Sequence, residues 1–171
     1  VRGMLTALEM SPEILGQLAD SALARAEMFD DMEEFLREQM ADLEPEVQAL
    51  CGKPDARIPI LEPAELLYVP LSGSHTIVPP AAVFEMVGAS WSMSLYDAAN
   101  YGLFLGDVAR AKKIVQRLID DVEKVGAKEL VVTECGHAYG VLKWEAPKWF
   151  GGPLPFRVTS LVERIDGWVR D

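Results

Sequence analysis

From Leu66 onward, short apolar runs alternate with stretches of helical periodicity. The clearest helix is predicted over Asp107 to about Val125, where apolar residues recur at steps of three and four. Asp107 is suited to cap the start of this helix, and Gly126 is suited to end it in a left-handed turn. The run Leu130 to Val132 is typical of a strand buried on both faces. This alternation predicts β-α-β units and a parallel sheet.

The remaining apolar runs complete the prediction of an α/β fold. They are Leu66 to Val69, Pro80 to Val87, Ser90 to Leu95 and Phe156 to Val158, followed by a last helix from Ser160 to Val169. Over residues 63–171 we expect a three-layer, Rossmann-like lobe, in which helices flank a short parallel sheet of about four strands. A chain of 171 residues, 50% of them hydrophobic, is long enough for one such domain and an appendage.

Residues 1–62 are predicted to be this appendage, a helical N-terminal segment followed by a proline-rich linker. Ser11, Pro12 and Glu13 favour a helix start, and a second helix is expected from Asp30 or Asp31 toward Leu50. The linker begins at Cys51 and contains residues that disfavour regular structure: Gly52, Pro54, Pro59 and Pro63.

The charge of the chain restricts its partners and its location. With 27 acidic and 16 basic residues, its formal net charge of −11 repels a phosphate backbone, so nucleic acid is not an expected partner. The acidic residues of the first third either form a solvated helix face or dock on a basic partner. No apolar run is long enough to span a bilayer, and no signal-peptide pattern opens the chain. We therefore expect a cytoplasmic protein with no direct membrane insertion.

Ligands of an open parallel sheet bind beyond the carboxyl ends of the strands, so three loops are candidate sites. The first, Leu71 to Pro80, carries Gly73 and His75 and is either an anion or cofactor site or a plain polar turn. The second, Trp91 to Gly102, is rich in aromatic residues, which either pack or form a cofactor surface. The third loop, Thr133 to Gly140, is the most informative.

This third loop places Cys135 at the tip of a predicted strand, with His137 two residues later. A helix beginning at Ala138 would favour the Cys135 thiolate as a metal ligand or nucleophile, and His137 would add a second ligand or a proton donor. In the alternative interpretation Cys135 only fills space and His137 only caps a helix. The remaining cysteine, Cys51, lies far away in sequence, so both are expected as reduced thiols and spacing predicts no self-contained metal site.

Three blocks of the sequence resemble heterodisulfide-reductase-related iron–sulfur proteins of sulfate- and sulfur-metabolising respiratory complexes. They are NYGLFLGD from Asn100, LVVTECGHAYGVLKWEAP from Leu130 and FRVTSLVERI from Phe156, with the TECGHAYG motif the most specific part. In such proteins, ferredoxin motifs and Cys-Cys-Gly domains bind 4Fe–4S clusters, but neither motif occurs in this chain. The resemblance implies that residues 63–171 are the cysteine-poor lobe of a fragment or split gene product.

The resemblance also implies a function. The complete protein would be an electron-transfer oxidoreductase subunit of an anaerobic respiratory complex, working between a membrane quinone or cytochrome partner and a disulfide or sulfur-carrier substrate. Its 4Fe–4S cluster would be bordered by Cys135, the expected metal ligand, with His137 and His75 as further cofactor-binding candidates. The other subunits of a membrane-associated redox complex would be its partners.

Two alternative functions remain open at this point. One is a binding or assembly module without redox activity, in which Cys135 is part of the packing. The other is a small thiol enzyme, in which Cys135 is the nucleophile and His75 or His137 is its base. The common hydrolase elbow, Walker A and zinc-protease motifs are absent from the sequence.

Overall fold

The computed structural model describes residues 4, 7–10, 12–24, 29–70, 74–94, 106–133 and 135–170. The described helices are α1 (Glu13–Ala24), α2 (Phe29–Cys51), α3 (Val78–Val87), α4 (Val108–Val125), α5 (Gly136–Gly140), α6 (Ala146–Trp149) and α7 (Leu161–Arg170). The strands are β1 (Leu66–Val69), β2 (Trp91–Met93), β3 (Glu129–Val132) and β4 (Arg157–Ser160). A 3₁₀ turn, Ser74–Thr76, precedes α3, and a π-helical turn, Val141–Glu145, joins α5 to α6.

The four strands form one parallel sheet in the order β2-β1-β3-β4. Leu66 of β1 is opposite both Trp91 of β2 and Glu129 of β3, and Glu129 is in turn opposite Arg157 of β4. The chain moves from β1 to β2 in one direction and then crosses back to β3. Strand order therefore reverses between β1 and β3, and the described residues confirm the predicted α/β fold with a four-stranded parallel sheet flanked by helices.

Helices cover both faces of this sheet. On one face, Phe84 of α3 packs at 4.9 Å from Trp91 and at 5.8 Å from Trp168 of α7, measured between ring centroids. Helices α4 and α6 contact one another. Because connections between parallel strands are right-handed as a rule, both helices are assigned to the opposite face of the sheet. With helices on both sides, the central strands are buried over their whole length, as the apolar run Leu130 to Val132 predicts.

Helix α4 is the element whose bounds the sequence predicts best. The Asp107 carboxylate accepts a hydrogen bond from the Arg110 amide at 3.0 Å, which caps the first turn. Gly126 ends the helix with φ of 73°, a left-handed conformation that costs little only for glycine. Its buried face includes Ile114, Val115 and Leu118, all at the centre of the core.

The predicted linker pairs with the sheet through its second half. The Met93 amide donates to the Pro59 carbonyl at 2.7 Å, and the Leu61 amide donates to the Met93 carbonyl at 3.1 Å, so that Ile60 lies parallel to the edge strand β2. Met40 and Val47 of α2 belong to the same apolar core as the sheet. The domain boundary predicted near residue 62 stays a prediction.

The prediction that Leu71 to Pro80 forms a loop is wrong for its last three residues. Helix α3 begins at Val78, because Pro79 and Pro80 lie in its first turn, where a missing amide hydrogen breaks no intrahelical bond. Other predicted features fall outside the described residues, including Ser11 and the aromatic loop with Tyr96 and Tyr101. No described helix combines the length and the apolar character needed to cross a membrane.

Burial in α4 leads to a stability prediction. Leu118 is fully buried, so Leu118→Ala should lower the free energy of unfolding by about 2–5 kcal/mol through lost apolar contacts and a residual cavity. Val169 is 81% exposed on α7, so Val169→Ala should change it by less than about 0.5 kcal/mol. Urea unfolding followed by far-ultraviolet circular dichroism measures both, and equal losses in the two variants would contradict this account of the core.

Candidate functional site

An open cleft of about 310 Å³ lies at the carboxyl edge of the sheet, where β3 and β4 end. Its lining residues come from the end of β3, the start of α5 and the junction of β4 with α7: Thr133, Cys135, Gly136, Tyr139, Ser160, Val162 and Glu163. This is the edge at which parallel α/β sheets bind ligands. The cleft contains Cys135, which makes it the candidate site of the described structure.

Cys135 immediately precedes α5 and occupies its N-cap position. Its backbone is extended, with φ of −72° and ψ of 99°, and its carbonyl accepts the Tyr139 amide at 3.0 Å as the first bond of the helix. The helix therefore begins at Gly136, and the predicted start at Ala138 is wrong by two residues. The thiol is partly buried and borders the positive end of the helix, where backbone amides favour negative charge.

The π-helical turn shapes one side of this region. Pro147 lies in the first turn of α6 and lacks an amide hydrogen, so the regular hydrogen-bond ladder is interrupted where the wider turn occurs. The Tyr139 and Trp144 rings meet edge to face at 5.5 Å between centroids, although 58% of Trp144 is exposed. Lys143 donates to the Val158 carbonyl at 2.5 Å, which attaches the turn to β4.

Ser160 and Glu163 form a capping box at the start of α7. The Glu163 amide donates to the Ser160 hydroxyl at 3.2 Å, and the Ser160 amide donates to the Glu163 carboxylate at 2.8 Å. The other carboxylate oxygen accepts the Tyr139 hydroxyl at 3.1 Å. This box joins the end of β4 to α7, and Tyr139 connects it to α5 across the cleft.

These contacts shift two pKa values in opposite directions. The hydrogen bond from the Ser160 amide lowers the pKa of Glu163 because it stabilises the carboxylate, and Tyr139 and Lys143 act in the same direction. Partial burial raises the pKa of Tyr139, and the neighbouring Glu163 carboxylate raises it further. Around neutral pH the cleft therefore holds a carboxylate and a neutral phenol that donates to it.

The other predicted site residues lie at separate positions. His137 is exposed on the first turn of α5, and His75 is exposed in the 3₁₀ turn that follows β1. Both lie at the same edge of the sheet as Cys135, beyond the ends of the neighbouring strands β1 and β3. The expected roles of all three in binding a cofactor or metal stay predictions, as does the pairing of Cys135 with either histidine.

Cys51 lies at the opposite edge. It ends α2, and nearby Lys53 donates to the carbonyl of Glu85 near the end of α3, where the chain returns to the amino edge of the sheet. No disulfide joins Cys51 to Cys135. A 4Fe–4S cluster ordinarily takes four thiolates, and the carboxyl edge supplies one, so the residues present do not fit a complete cluster. Within the described ranges, no three His, Cys, Asp or Glu side chains are grouped to hold a metal ion.

Sequence analysis did not identify Tyr139, Ser160 and Glu163 as neighbours of Cys135. The spacing of Ser160 and Glu163 matches a capping box and was a usable signal for the start of α7. No comparable signal exists for Tyr139, because its contact with Glu163 depends on how α5 and α7 lie across two neighbouring strands.

The fold and the cleft define the class: an open, parallel α/β protein with a cysteine at the carboxyl edge of a central strand. Comparisons of the chain with protein-family models, with curated proteins and with solved structures found no match.

The lowered pKa of Glu163 predicts a pH-dependent contribution to stability. The carboxylate stabilises the fold above the ordinary glutamate pKa, and this contribution disappears as pH falls through the lowered value in the folded protein. Glu163→Gln keeps a capping side chain without the charge. Its destabilisation relative to the wild type should therefore be largest near pH 7 and should shrink below about pH 4.

Urea unfolding at several pH values measures this difference, with Ser160→Ala as the control. That variant should lose about 1 kcal/mol as a capping residue, but it keeps the backbone amide that lowers the Glu163 pKa. The pH-dependent component should consequently persist in Ser160→Ala. A pH-independent difference between Glu163→Gln and the wild type would contradict the assignment.

Proposed function

We propose that the chain is the α/β lobe of a heterodisulfide-reductase-type iron–sulfur electron-transfer subunit. The complete protein would move electrons between a membrane quinone or cytochrome partner and a disulfide or sulfur-carrier substrate. In this proposal the lobe is a scaffold, and its carboxyl edge is the face that borders a cluster carried by another domain or subunit.

The observation that carries the proposal is the position of the Cys135 thiol. It is partly buried, lies at the N-cap of α5 and lines an open cleft at the edge where parallel sheets place their ligands. A thiol in such a position can approach a group brought in by a partner, which a thiol enclosed in the core cannot. The TECGHAYG motif that resembles the iron–sulfur family covers the same turn.

The surroundings of Cys135 hold its backbone in a defined position. Strand β3 is buried on both faces, and Ala138 is fully buried one turn into the helical segment. Tyr139 bonds to the capping box of α7, and Lys143 bonds to β4. These contacts fix both sides of the turn that carries Cys135, as is required of a residue that borders a cofactor at a set distance.

A substitution in the complete subunit tests this role. Cys135→Ser should change the electron paramagnetic resonance spectrum of the reduced cluster, because the sulfur that borders it is replaced by a hydroxyl. Cys51→Ser is the matched control: it makes the same chemical change at the other edge of the sheet and should leave the spectrum unchanged. Circular dichroism should show both variants folded.

Two results would count against a cluster-bordering role for Cys135. A spectrum that is unchanged in Cys135→Ser, in a protein that is folded and has its full iron content, would overturn the cluster-bordering role. Equal changes in Cys135→Ser and Cys51→Ser would also count against it, because they would show that the effect does not depend on the carboxyl edge.

A second function, a binding or assembly module without redox activity, is favoured by one observation. Two large apolar side chains, Val162 and Trp144, are 65% and 58% exposed, and both lie beside Tyr139 in or next to the cleft. Exposed aromatic and aliphatic groups gathered around a cleft are typical of protein-binding surfaces. This function uses the same edge of the sheet but needs no thiol.

Subunit assembly distinguishes the two functions. A pure binding module should lose association with its partner subunits in Val162→Asp while Cys135→Ser assembles normally and has an unaltered spectrum. The iron–sulfur proposal instead expects the spectrum to change in Cys135→Ser even when assembly is intact. Size-exclusion chromatography of the reconstituted complex measures the assembly part.

A further inference from the structure

A second cavity, of about 500 Å³, lies at the amino edge of the sheet, opposite the cleft that contains Cys135. The first residues of β1, β3 and β4 line it, together with the turn that leads from α3 into β2 and two residues of α7, Arg164 and Trp168. The residues that matter for its chemistry are Glu65, Val87, Lys128, Glu129, Arg157, Arg164 and Trp168. Three of them are basic, in a chain whose net charge is −11.

Two of these basic groups are neutralised within the cavity wall. Lys128 pairs with Glu65 at 2.9 Å between Nζ and Oε2. Arg157 pairs with Glu129 at 2.7 Å between Nη2 and Oε2. Glu129 is only 8% exposed and also accepts the Thr159 hydroxyl at 2.6 Å. Glu129 Oε2 also forms a longer ion pair with the Nε of Arg164, so Arg157 and Arg164 share this carboxylate. The wall therefore holds three basic side chains and two carboxylates, which leaves one positive charge in excess.

Two neighbours position the Arg164 side chain, and neither accepts a hydrogen bond from its Nε. Its guanidinium carbon lies 4.5 Å from the centroid of the Trp168 ring, and its Nε is 3.6 Å from Glu129 Oε2, beyond hydrogen-bond distance. Within the described residues, the buried Nε has no hydrogen-bond acceptor. A planar guanidinium stacked on an aromatic ring and facing a cavity is a preorganised binder of carboxylates, whose two oxygens match its donors.

The rest of the wall indicates the kind of carboxylate. Trp168 and the 46% exposed Val87 provide apolar surface beside the charged groups. A single excess positive charge matches a single negative charge better than the higher charge of a phosphate near neutral pH. We propose that the amino-edge cavity binds a small organic monocarboxylate, with Arg164 as the anchor of the carboxylate group and Trp168 and Val87 against its apolar body.

Titration of the chain with benzoate tests this assignment. The indole NH signal of Trp168, identified in a nitrogen-15 spectrum by its loss in Trp168→Phe, should shift in a saturable manner. Benzamide has nearly the same shape without the charge and should bind at least about tenfold more weakly, because charge-assisted hydrogen bonds are lost. Acetate, which lacks the apolar body, should also bind more weakly than benzoate.

Two variants locate the site. Arg164→Met keeps much of the side-chain length without the charge and should weaken benzoate binding by about tenfold or more. Arg170→Met is the matched control: Arg170 lies on the same helix, pairs with Asp166 and does not line the cavity, so binding should be unchanged. Circular dichroism establishes that each variant is folded. If Arg164→Met does not fold, Arg164→Lys should still show weakened binding, since it keeps the charge but not the planar fork.

Several results would overturn the proposal of a monocarboxylate site. No saturable shift with benzoate would overturn the proposal, and so would equal binding of benzoate and benzamide or equal weakening in the Arg164 and Arg170 variants. Tighter binding of inorganic phosphate than of benzoate would overturn the choice of a monocarboxylate. None of these results depends on whether the carboxyl edge borders an iron–sulfur cluster.

Discussion

The buried pairing of β1 with β3 is the constraint on which the rest of this structure depends. Both strands have helices on each face, and Leu67, Val69 and the apolar residues of β3 are fully buried. Their backbone groups must therefore be satisfied within the sheet. Parallel pairing makes both strands end at the same edge, which fixes where the following loops emerge. The positions of His75 and Cys135 at one edge follow from this pairing rather than from their separation in sequence.

The two edges of the sheet have different chemistry. The carboxyl edge presents a partly buried thiol beside a phenol and a carboxylate, with Trp144 and Val162 exposed nearby. The amino edge contains three basic side chains and two carboxylates, with the Arg164 guanidinium over the Trp168 ring. Because Cys51 is near the second edge, the fold separates the two sulfur atoms of the chain. The carboxyl edge of the sheet therefore offers one thiolate rather than a set of metal ligands.

The sequence predicted those helices and strands whose formation depends on residues close together along the chain. The capped helix α4, the doubly buried β3 and the order of strands and helices after Leu66 agree with their predicted positions to within a few residues. The sequence did not predict the pairing of Ile60 with β2. Nearby prolines argue against a strand, and one isolated bridge leaves no pattern of alternating residues to detect. Tyr139 and Arg164 were missed for another reason. Tyr139 contacts Glu163 and Arg164 contacts Glu129 only after separate strands have paired in the sheet. Contacts of this kind depend on strand register and topology, which local patterns in a sequence do not reveal.

The central proposal is that this chain borders an iron–sulfur cluster through Cys135 and that its two cysteines are too few to assemble a cluster without a partner. Anaerobic purification of the chain, followed by analysis of iron and acid-labile sulfide and by a visible spectrum, tests this claim directly. The account predicts a folded, colourless protein without stoichiometric iron. Stoichiometric iron and sulfide with a broad charge-transfer band, in a folded protein, would contradict it.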